Sequence, residues 1–473
     1  MPPGPKPEPR RTSQFRRPEI QQMKHDAMTR RAFLAATTTT AAAAAFAAPN
    51  DAKVVPGKIS PNEKLNIAAI GAGGKGLSDI MSCAKHGENI VALCDVDWKE
   101  AGEAFYKLPN AKQFKDYREM LEKMPEIDAC TVSTPDHTHA PAAYMAMKLG
   151  KHVYVQKPLT HTVAEARLLT NTAREMKVAT QMGNQGHCGD GVRDMCEMVW
   201  SGAIGQVKEA HVWTNRPVWP QGIDKPLDEM PIPDTMAWDL WIGTAPMRPY
   251  NEKYAPFNWR GWWDFGCGAL GDMACHIMDP AYRALKLNEA EYYTVELVQQ
   301  EGNTDQCPPN SSIIKYSFPA RAGMPPVEVF WYDGKILPPR PEGIPADEKI
   351  GDGDNGSLYL GSSGILTTGT YGDESRLLPA AKMADYKRPD PTIPRVEGED
   401  HYKNWIDGIK GGPAPGSSFE YSGPFTEMVN FGNLTVRTGK KLHWDNVKGK
   451  VTNDKDAAAL ISKAYRQGWE LPV

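Results

Sequence analysis

Lys157, Asp272 and His276 are the residues whose types and spacing point most directly to proton chemistry. Lys157 ends the run HVYVQKPL, which reads as a strand closed by a proline. In open α/β sheets ligands bind outside the carboxyl ends of the strands. A lysine placed there can hydrogen-bond a reacting oxygen and stabilise an alkoxide. Asp272 and His276 sit in GALGDMACHIMDPAYRAL, which reads as one helix after a glycine-rich entry. Their i, i+4 spacing puts both on one face. A carboxylate beside an imidazole can orient the ring and hold its charged form. Such a set suits removal of a hydroxyl proton, with hydride passing to a second bound group.

A place for that group precedes these residues in the chain. KLNIAAI is a short β-rich run that leads into GAGGKG, and Leu77, Ile80, Met81 and Ala84 follow at helical spacing. A glycine fingerprint between a strand and a helix is the setting that dinucleotide binding requires. Gly71 permits the tight turn, Gly73 and Gly74 let backbone approach a diphosphate, and Gly76 lets helix and strand pack closely. The helix N-terminus offers N–H groups and a positive dipole to phosphate. A second strand, NIVALCDVD, carries Asp95 at its end. A carboxylate there accepts from ribose hydroxyls and repels a 2′-phosphate, which favours NAD over NADP.

These residues must be held by a parallel sheet. KEAGEAFYKL and KDYREMLEKM read as helices, followed by a third clear strand, IDACTVSTP. Pro141 suits the first turn of the next helix and Gly150 its end. Thr162 and Glu165 form a capping box that starts another helix, and KVATQMGN is a further strand. Strands alternating with helices predict a doubly wound α/β Rossmann domain over residues 64–185. In the loop QMGNQGHCGDG, the residues Asn184, Gln185 and His187 are candidates for substrate contact, whereas His137 reads as a solvent-edge residue.

Residues 186–473 predict an α+β domain for substrate binding and oligomerisation. GVRDMCEMVWSGAIG reads as a helix, and QVKEAHVWTNR, YYTVELVQQ, SSIIKYSF, VEVFWYD and GSLYLGSSGILTTG read as strands of a large, mostly antiparallel open sheet. HYKNWIDGIKGG, GPFTEMVNFGNLTVRTG and DAAALISKAYRQGW read as late helices. Tryptophans and arginines crowd residues 213–263. Aromatic faces beside polar groups suit carbohydrate, although each single tryptophan is better explained by packing. An open sheet needs cover, so a homodimer or homotetramer is expected.

The sequence resembles the Gfo/Idh/MocA family of NAD(P)-dependent sugar and polyol oxidoreductases. The resemblance rests on IAAIGAGGKG, VALCDVD, VSTPDHTHAPAAYMAMKLGKHVYVQKPL and GALGDMACHIMD. It implies an enzyme that moves hydride between NAD and a carbinol of a sugar, glycoside or polyol. It places Thr134, Pro135 and His139 beside the cofactor, and gives Lys157, Asp272 and His276 catalytic roles. The family has a glutamate before the Lys-Pro pair, where Gln156 stands here. Relatives that oxidise a sugar transiently and eliminate its aglycone offer an alternative reading, a redox-neutral glycosidase or lyase. A non-catalytic sugar- or dinucleotide-binding protein is the reading from another class.

The net charge of −4 supplies no basic excess for nucleic acid. The eight cysteines form no CxxC pair and read as buried free thiols, and no ligand spacing points to a metal. Residues 1–49 read as a leader and 50–63 as a linker. TRRAFL before an Ala/Thr stretch, with Ala45-Phe46-Ala47 as a small-x-small cleavage site, predicts twin-arginine export to the periplasm. That stretch is too weakly apolar for a stable membrane span. Export in the folded state fits a tightly held NAD.

Overall fold

The computed structural model describes Ser60 and residues 62–473. The expected leader therefore lies outside the described residues, as does nearly all of the linker. The first half alternates strand and helix: β1 (Asn66–Ile70), α1 (Lys75–Lys85), β2 (Asn89–Cys94), α2 (Gly102–Lys107), β3 (Lys112–Phe114), α3 (Tyr117–Lys123), β4 (Ala129–Val132), α4 (Asp136–Lys148), β5 (His152–Val155), α5 (Val163–Met176) and β6 (Thr180–Met182). The six strands are all parallel, in the order β3-β2-β1-β4-β5-β6. Every residue of β4, β5 and β6 is buried, as expected for a sheet with helices on both faces. The capping box forms: Thr162 accepts from the Glu165 N–H and the Glu165 carboxylate accepts from the Thr162 N–H. Strand β3 corrects the expected order, because IDACTVSTP supplies the fourth strand. β3 has only three residues, none buried, so no apolar run marks it.

The second half forms a nine-stranded sheet. Its elements are α6 (Asp190–Trp200), β7 (Val207–Trp213), α7 (Trp238–Ile242), α8 (Gly268–Ile277), α9 (Asp279–Ala284), β8 (Tyr292–Glu301), β9 (Ser311–Phe318), β10 (Val327–Tyr332), β11 (Gly356–Gly361), β12 (Ile365–Thr368), β13 (Arg376–Leu378), α10 (Ala381–Asp385), α11 (His401–Ile409), α12 (Phe419–Thr438), β14 (Leu442–Asp445), β15 (Lys450–Val451) and α13 (Lys455–Ala459). The order is β13-β12-β11-β7-β10-β9-β8-β14-β15, antiparallel except between β7 and β10. Helices α8 and α12 pack together, and α12 also packs on α5 of the first sheet's layer and on β8. One buried core thus runs from the Rossmann sheet into the second sheet.

Four expected helices differ from the observed ones. Helix α4 begins at Asp136, so Pro141 lies inside it and not in its first turn. GALGDMACHIMDPAYRAL breaks at Met278, where Pro280 opens the first turn of α9. Helix α12 begins at Phe419 and carries Pro424 in its first turns. The last helix stops at Ala459, and residues beyond it cross back onto the Rossmann half: the Ala164 N–H donates to the Ile461 carbonyl at 2.9 Å. The tryptophans of the middle segment mostly pack among themselves; Trp238, Trp241, Trp259 and Trp262 share one buried cluster with Tyr254 and Phe265. All eight cysteines are buried and free. No described helix is long and apolar enough to cross a membrane.

Candidate active site

A cleft of about 900 Å³ runs along the carboxyl ends of the Rossmann strands and is roofed by the second half of the chain. Gly71, Gly73 and Gly74 form its floor between β1 and α1. Gly71 has φ +82°, and a Cβ on it would lie 2.7 Å from the Ser133 carbonyl oxygen. Gly74 has φ +51° with open space where a Cβ would stand, so backbone faces the cleft directly. Gly76 is not in the floor; a Cβ there would lie 1.9 Å from the Gly71 carbonyl oxygen, so only glycine permits this strand-to-helix turn. Asp95 accepts from the N–H groups of Ala72 and Gly73 at 2.8 and 2.9 Å. Its carboxylate both fixes the turn and lines the cleft. No acid occupies the first turn of α1. These features fit a dinucleotide: a backbone cradle, a helix N-terminus for the diphosphate, and a carboxylate for the ribose.

At the other end, β5 delivers Lys157 into the cleft. Its ammonium donates to Oδ1 of Asp272 at 2.8 Å and to the Asp272 carbonyl at 2.9 Å. An ammonium has three donors, so one remains for a ligand. Arg260 donates to the same Oδ1 at 3.2 Å. Burial pushes the Asp272 carboxyl up, but Lys157 and Arg260 outweigh it and bring its pKa to about 2. His276, one turn further along α8, also lines the cleft. Burial, reinforced by Lys157, lowers its pKa to about 3 against the opposing pull of Asp272 and Asp279. The expected Asp272–His276 hydrogen bond is absent: Asp272 is engaged by the two cations, and Nδ1 of His276 is buried with no partner among the described residues. The ring is therefore neutral, not held charged. Tyr371 meets it edge-on with ring centroids 5.2 Å apart.

The remaining predicted residues fall into two groups. Thr134, Pro135, Gln156 and Gln185 line the cleft with the glycines. Gln156 is 6% exposed and donates from Nε2 to Asp79 at 2.8 Å. Gln185 donates to the Gly183 carbonyl at 2.9 Å and accepts from the Tyr154 hydroxyl at 3.1 Å. The others stand behind this wall. His139 has its ring nitrogens 2.8 Å from the carbonyls of Thr134 and Pro158, clamping the ends of β4 and β5 together. Asn184 accepts from Ser417, and His187 pairs with Asp279 at 2.8 Å, both buried. His137 is not at a solvent edge: it is fully buried, with Nε2 2.9 Å from the Trp241 carbonyl.

Several cleft residues escaped the sequence reading. Arg260 was hidden in a tryptophan-rich run that reads as packing. It sits over Trp259 and Phe257, with its guanidinium 4.2 and 4.6 Å from their ring centroids. Asp136 accepts from the Cys267 N–H at 3.0 Å, and burial pushes its carboxyl up to about 7 against Arg260 and Lys157. Behind the cleft wall, the fully buried Asp79 collects donors from Lys75, Ser133, Gln156 and Tyr402. Tyr402 comes from α11, more than three hundred residues away in the chain.

A Rossmann sheet with a glycine cradle, and a strand-end lysine facing an acid and a histidine from the second half of the chain, define a protein of the dinucleotide-binding Rossmann class. Residues 65–184 match the NAD-binding Rossmann fold of the Gfo/Idh/MocA oxidoreductases, and residues 192–319 match the C-terminal α/β domain of the same group. The chain belongs to the Gfo/Idh/MocA family. An α-N-acetylgalactosaminidase of Shewanella oneidensis is 30% identical over 170 residues, which cover 34% of this chain and 37% of that protein. The match to such curated relatives therefore spans little more than a third of their length. Among solved structures, the WlbA dehydrogenase of Bordetella pertussis, in complex with NADH and UDP-GlcNAcA, aligns with TM-score 0.57 and 16% identity over 80% of this chain and 98% of its own. An inositol dehydrogenase homologue of Azotobacter vinelandii, complexed with NADH and myo-inositol, aligns with TM-score 0.51 and 15% identity over 81% and 99%. At these identities the likeness concerns the fold.

Proposed function

We propose that the protein is an NAD-dependent oxidoreductase acting on a carbinol of a sugar, glycoside or polyol. The observation that carries this reading is the convergence of Lys157, His276 and the glycine cradle on one cleft. NAD, when bound, accepts or returns the hydride. Lys157 donates its remaining hydrogen to the carbinol oxygen and steadies the charge that develops there. Asp272 holds the ammonium in place through two contacts. His276, whose ring burial keeps neutral, lines the cleft beside Lys157 and is the base that takes the hydroxyl proton. Arg260 and Tyr371 border the space left for the sugar.

A second reading has a specific support, the likeness of a 170-residue stretch of this chain to an α-N-acetylgalactosaminidase. In it the sugar is oxidised, loses its aglycone and is reduced again. Incubation of the NAD-loaded protein with myo-inositol and with an α-N-acetylgalactosaminide separates the two. Stoichiometric NADH supports net oxidation; aglycone release without net NADH supports the second course. Neither product, from these or a wider glycoside and polyol panel, would leave only binding.

Two further proposals concern setting. The TRRAFL leader supports export to the periplasm, which fractionation with sizing of the mature chain tests. Half-buried Phe330, Leu360 and Ile365 on the second sheet support association into a homodimer or homotetramer, and light scattering giving a monomer mass would refute it.

A further inference from the structure

The geometry points to the C-terminal segment as part of the dinucleotide site: Trp469 walls the adenosine end, and the residues before it latch that wall shut. The inference rests on NAD occupying the cleft described above.

Trp469 lines the same cleft as the glycine cradle, together with Asp95, Asp97, Lys115 and Tyr117 at the ends of β2 and β3. In a sheet of this order the acid after β2 marks the adenosine side. Trp469 is thus on the adenosine side, opposite Lys157. Its ring carries the Arg118 guanidinium at 4.2 Å from the centroid and meets Tyr117 edge-on at 6.4 Å. It is only 6% exposed, so the wall is a built part of the cleft.

The tail that carries it is tied to both halves of the molecule. The Lys463 ammonium lies 3.2 Å from the Glu165 carboxylate at the start of α5, 3.0 Å from Nδ1 of His161 and 3.0 Å from the Thr244 hydroxyl of the second half. Tyr465 donates to the same Glu165 at 2.9 Å. Arg466 donates through Nε to the Gly243 carbonyl at 2.9 Å, and its own N–H donates to the Thr244 carbonyl at 3.1 Å. A second strap comes from the segment before α7. There the Ala237 N–H donates to the Val96 carbonyl at 2.8 Å, and the Trp98 N–H donates to the Thr235 carbonyl at 3.2 Å. Chain from outside the Rossmann half therefore covers the adenosine end from two directions. The tail, tied by Lys463, Tyr465 and Arg466, is the cover whose loosening sets the rate at which NAD leaves.

The test is the rate at which NADH leaves the intact protein, followed by loss of its fluorescence when excess NAD is mixed in. Loss of an aromatic wall against a base predicts that Trp469→Ala releases NADH at least about tenfold faster, while Trp469→Phe stays near wild type. Lys463→Met, which leaves the wall itself intact, is predicted to accelerate release as well. If Trp469→Ala fails to fold, the Lys463→Met rate decides. Release rates equal to wild type in the folded variants would overturn the latch while leaving the cofactor assignment standing. Failure of the wild type to bind NADH at all would overturn both.

Discussion

Nε2 of Gln156 lies 2.8 Å from Oδ2 of Asp79, inside the wall between the cofactor cradle and the lysine. The buried negative charge at this point comes from helix α1, and the residue before Lys157 is a neutral donor to it. Replacing Gln156 by glutamate would set two carboxylates against each other out of water. Gln156→Glu is expected to lower stability by about 1–3 kcal/mol through the lost bond and the new repulsion. The double variant Gln156→Glu/Asp79→Asn restores a carboxylate–amide pair and is expected to recover most of the loss. Chemical denaturation of the wild type, Gln156→Glu, Asp79→Asn and the double variant checks this, and additive effects would contradict the pairing.

Tyr371 meets the ring of His276 edge-on and is half exposed to the cleft. Its loop is set by close backbone contacts: a Cβ on Gly186 would lie 2.8 Å from the Tyr371 carbonyl oxygen. Tyr371→Ala is expected to raise KM for the sugar by roughly two- to tenfold, the size of an aromatic contact. Tyr371→Phe is expected to stay close to wild type. Steady-state kinetics separate the two, and an unchanged KM in Tyr371→Ala would remove the residue from the site.

Buried histidines set the response to acid. Burial lowers His137, His276 and His401 to about 3, and His139 and His152 to about 4, from an ordinary value of 6.5. Below pH 6.5 the unfolded chain protonates these rings while the native protein does not, so stability falls as pH falls. Asp136 and Asp333, pushed up by burial to about 7, act in the opposite sense, but five histidines outweigh two carboxyls. The melting temperature is expected to be highest near pH 7–8 and to drop progressively from pH 6.5 toward 4. A flat or rising melting temperature over that interval would contradict the burial of neutral rings.

Asp95 faces the adenosine end with Asp97, its carboxylate accepting from the Asp97 N–H at 2.9 Å. Asp95→Ser removes charge that repels a 2′-phosphate and an acceptor for the ribose hydroxyls. Affinity for NADH is expected to fall about tenfold or more and affinity for NADPH to rise, read by titration of protein fluorescence. Equal losses for both cofactors would assign Asp95 to the turn alone.

The legible parts of this protein were those written locally. The glycine cradle, the capping box at Thr162 and the lysine before a proline each announce a backbone requirement within a few residues. Apolar alternation revealed most strands of the second sheet. What stayed hidden depends on distant partners. β3 has no apolar run because all three of its residues escape full burial. His137 looked like a solvent-edge residue because its burial is supplied by Trp241 and Phe265. Asp272 and His276 share a helix face as predicted, yet the acid turns to Lys157 and Arg260, since two cations outcompete a neutral ring. The tail past Ala459 resembled a helix, but its polar side chains find partners on α5 and at Gly243 and Thr244.

The most direct measurement of the central claim is absorbance at the reduced-nicotinamide band after NAD-loaded protein is mixed rapidly with myo-inositol or an α-N-acetylgalactosaminide. The account predicts that reduced cofactor forms in the wild type, transiently or to completion, and that Lys157→Met slows its formation by about two to four orders of magnitude with NAD still bound. Reduced cofactor appearing equally fast in Lys157→Met, or never in the loaded wild type with these or any of a wider panel of polyols and glycosides, would contradict it.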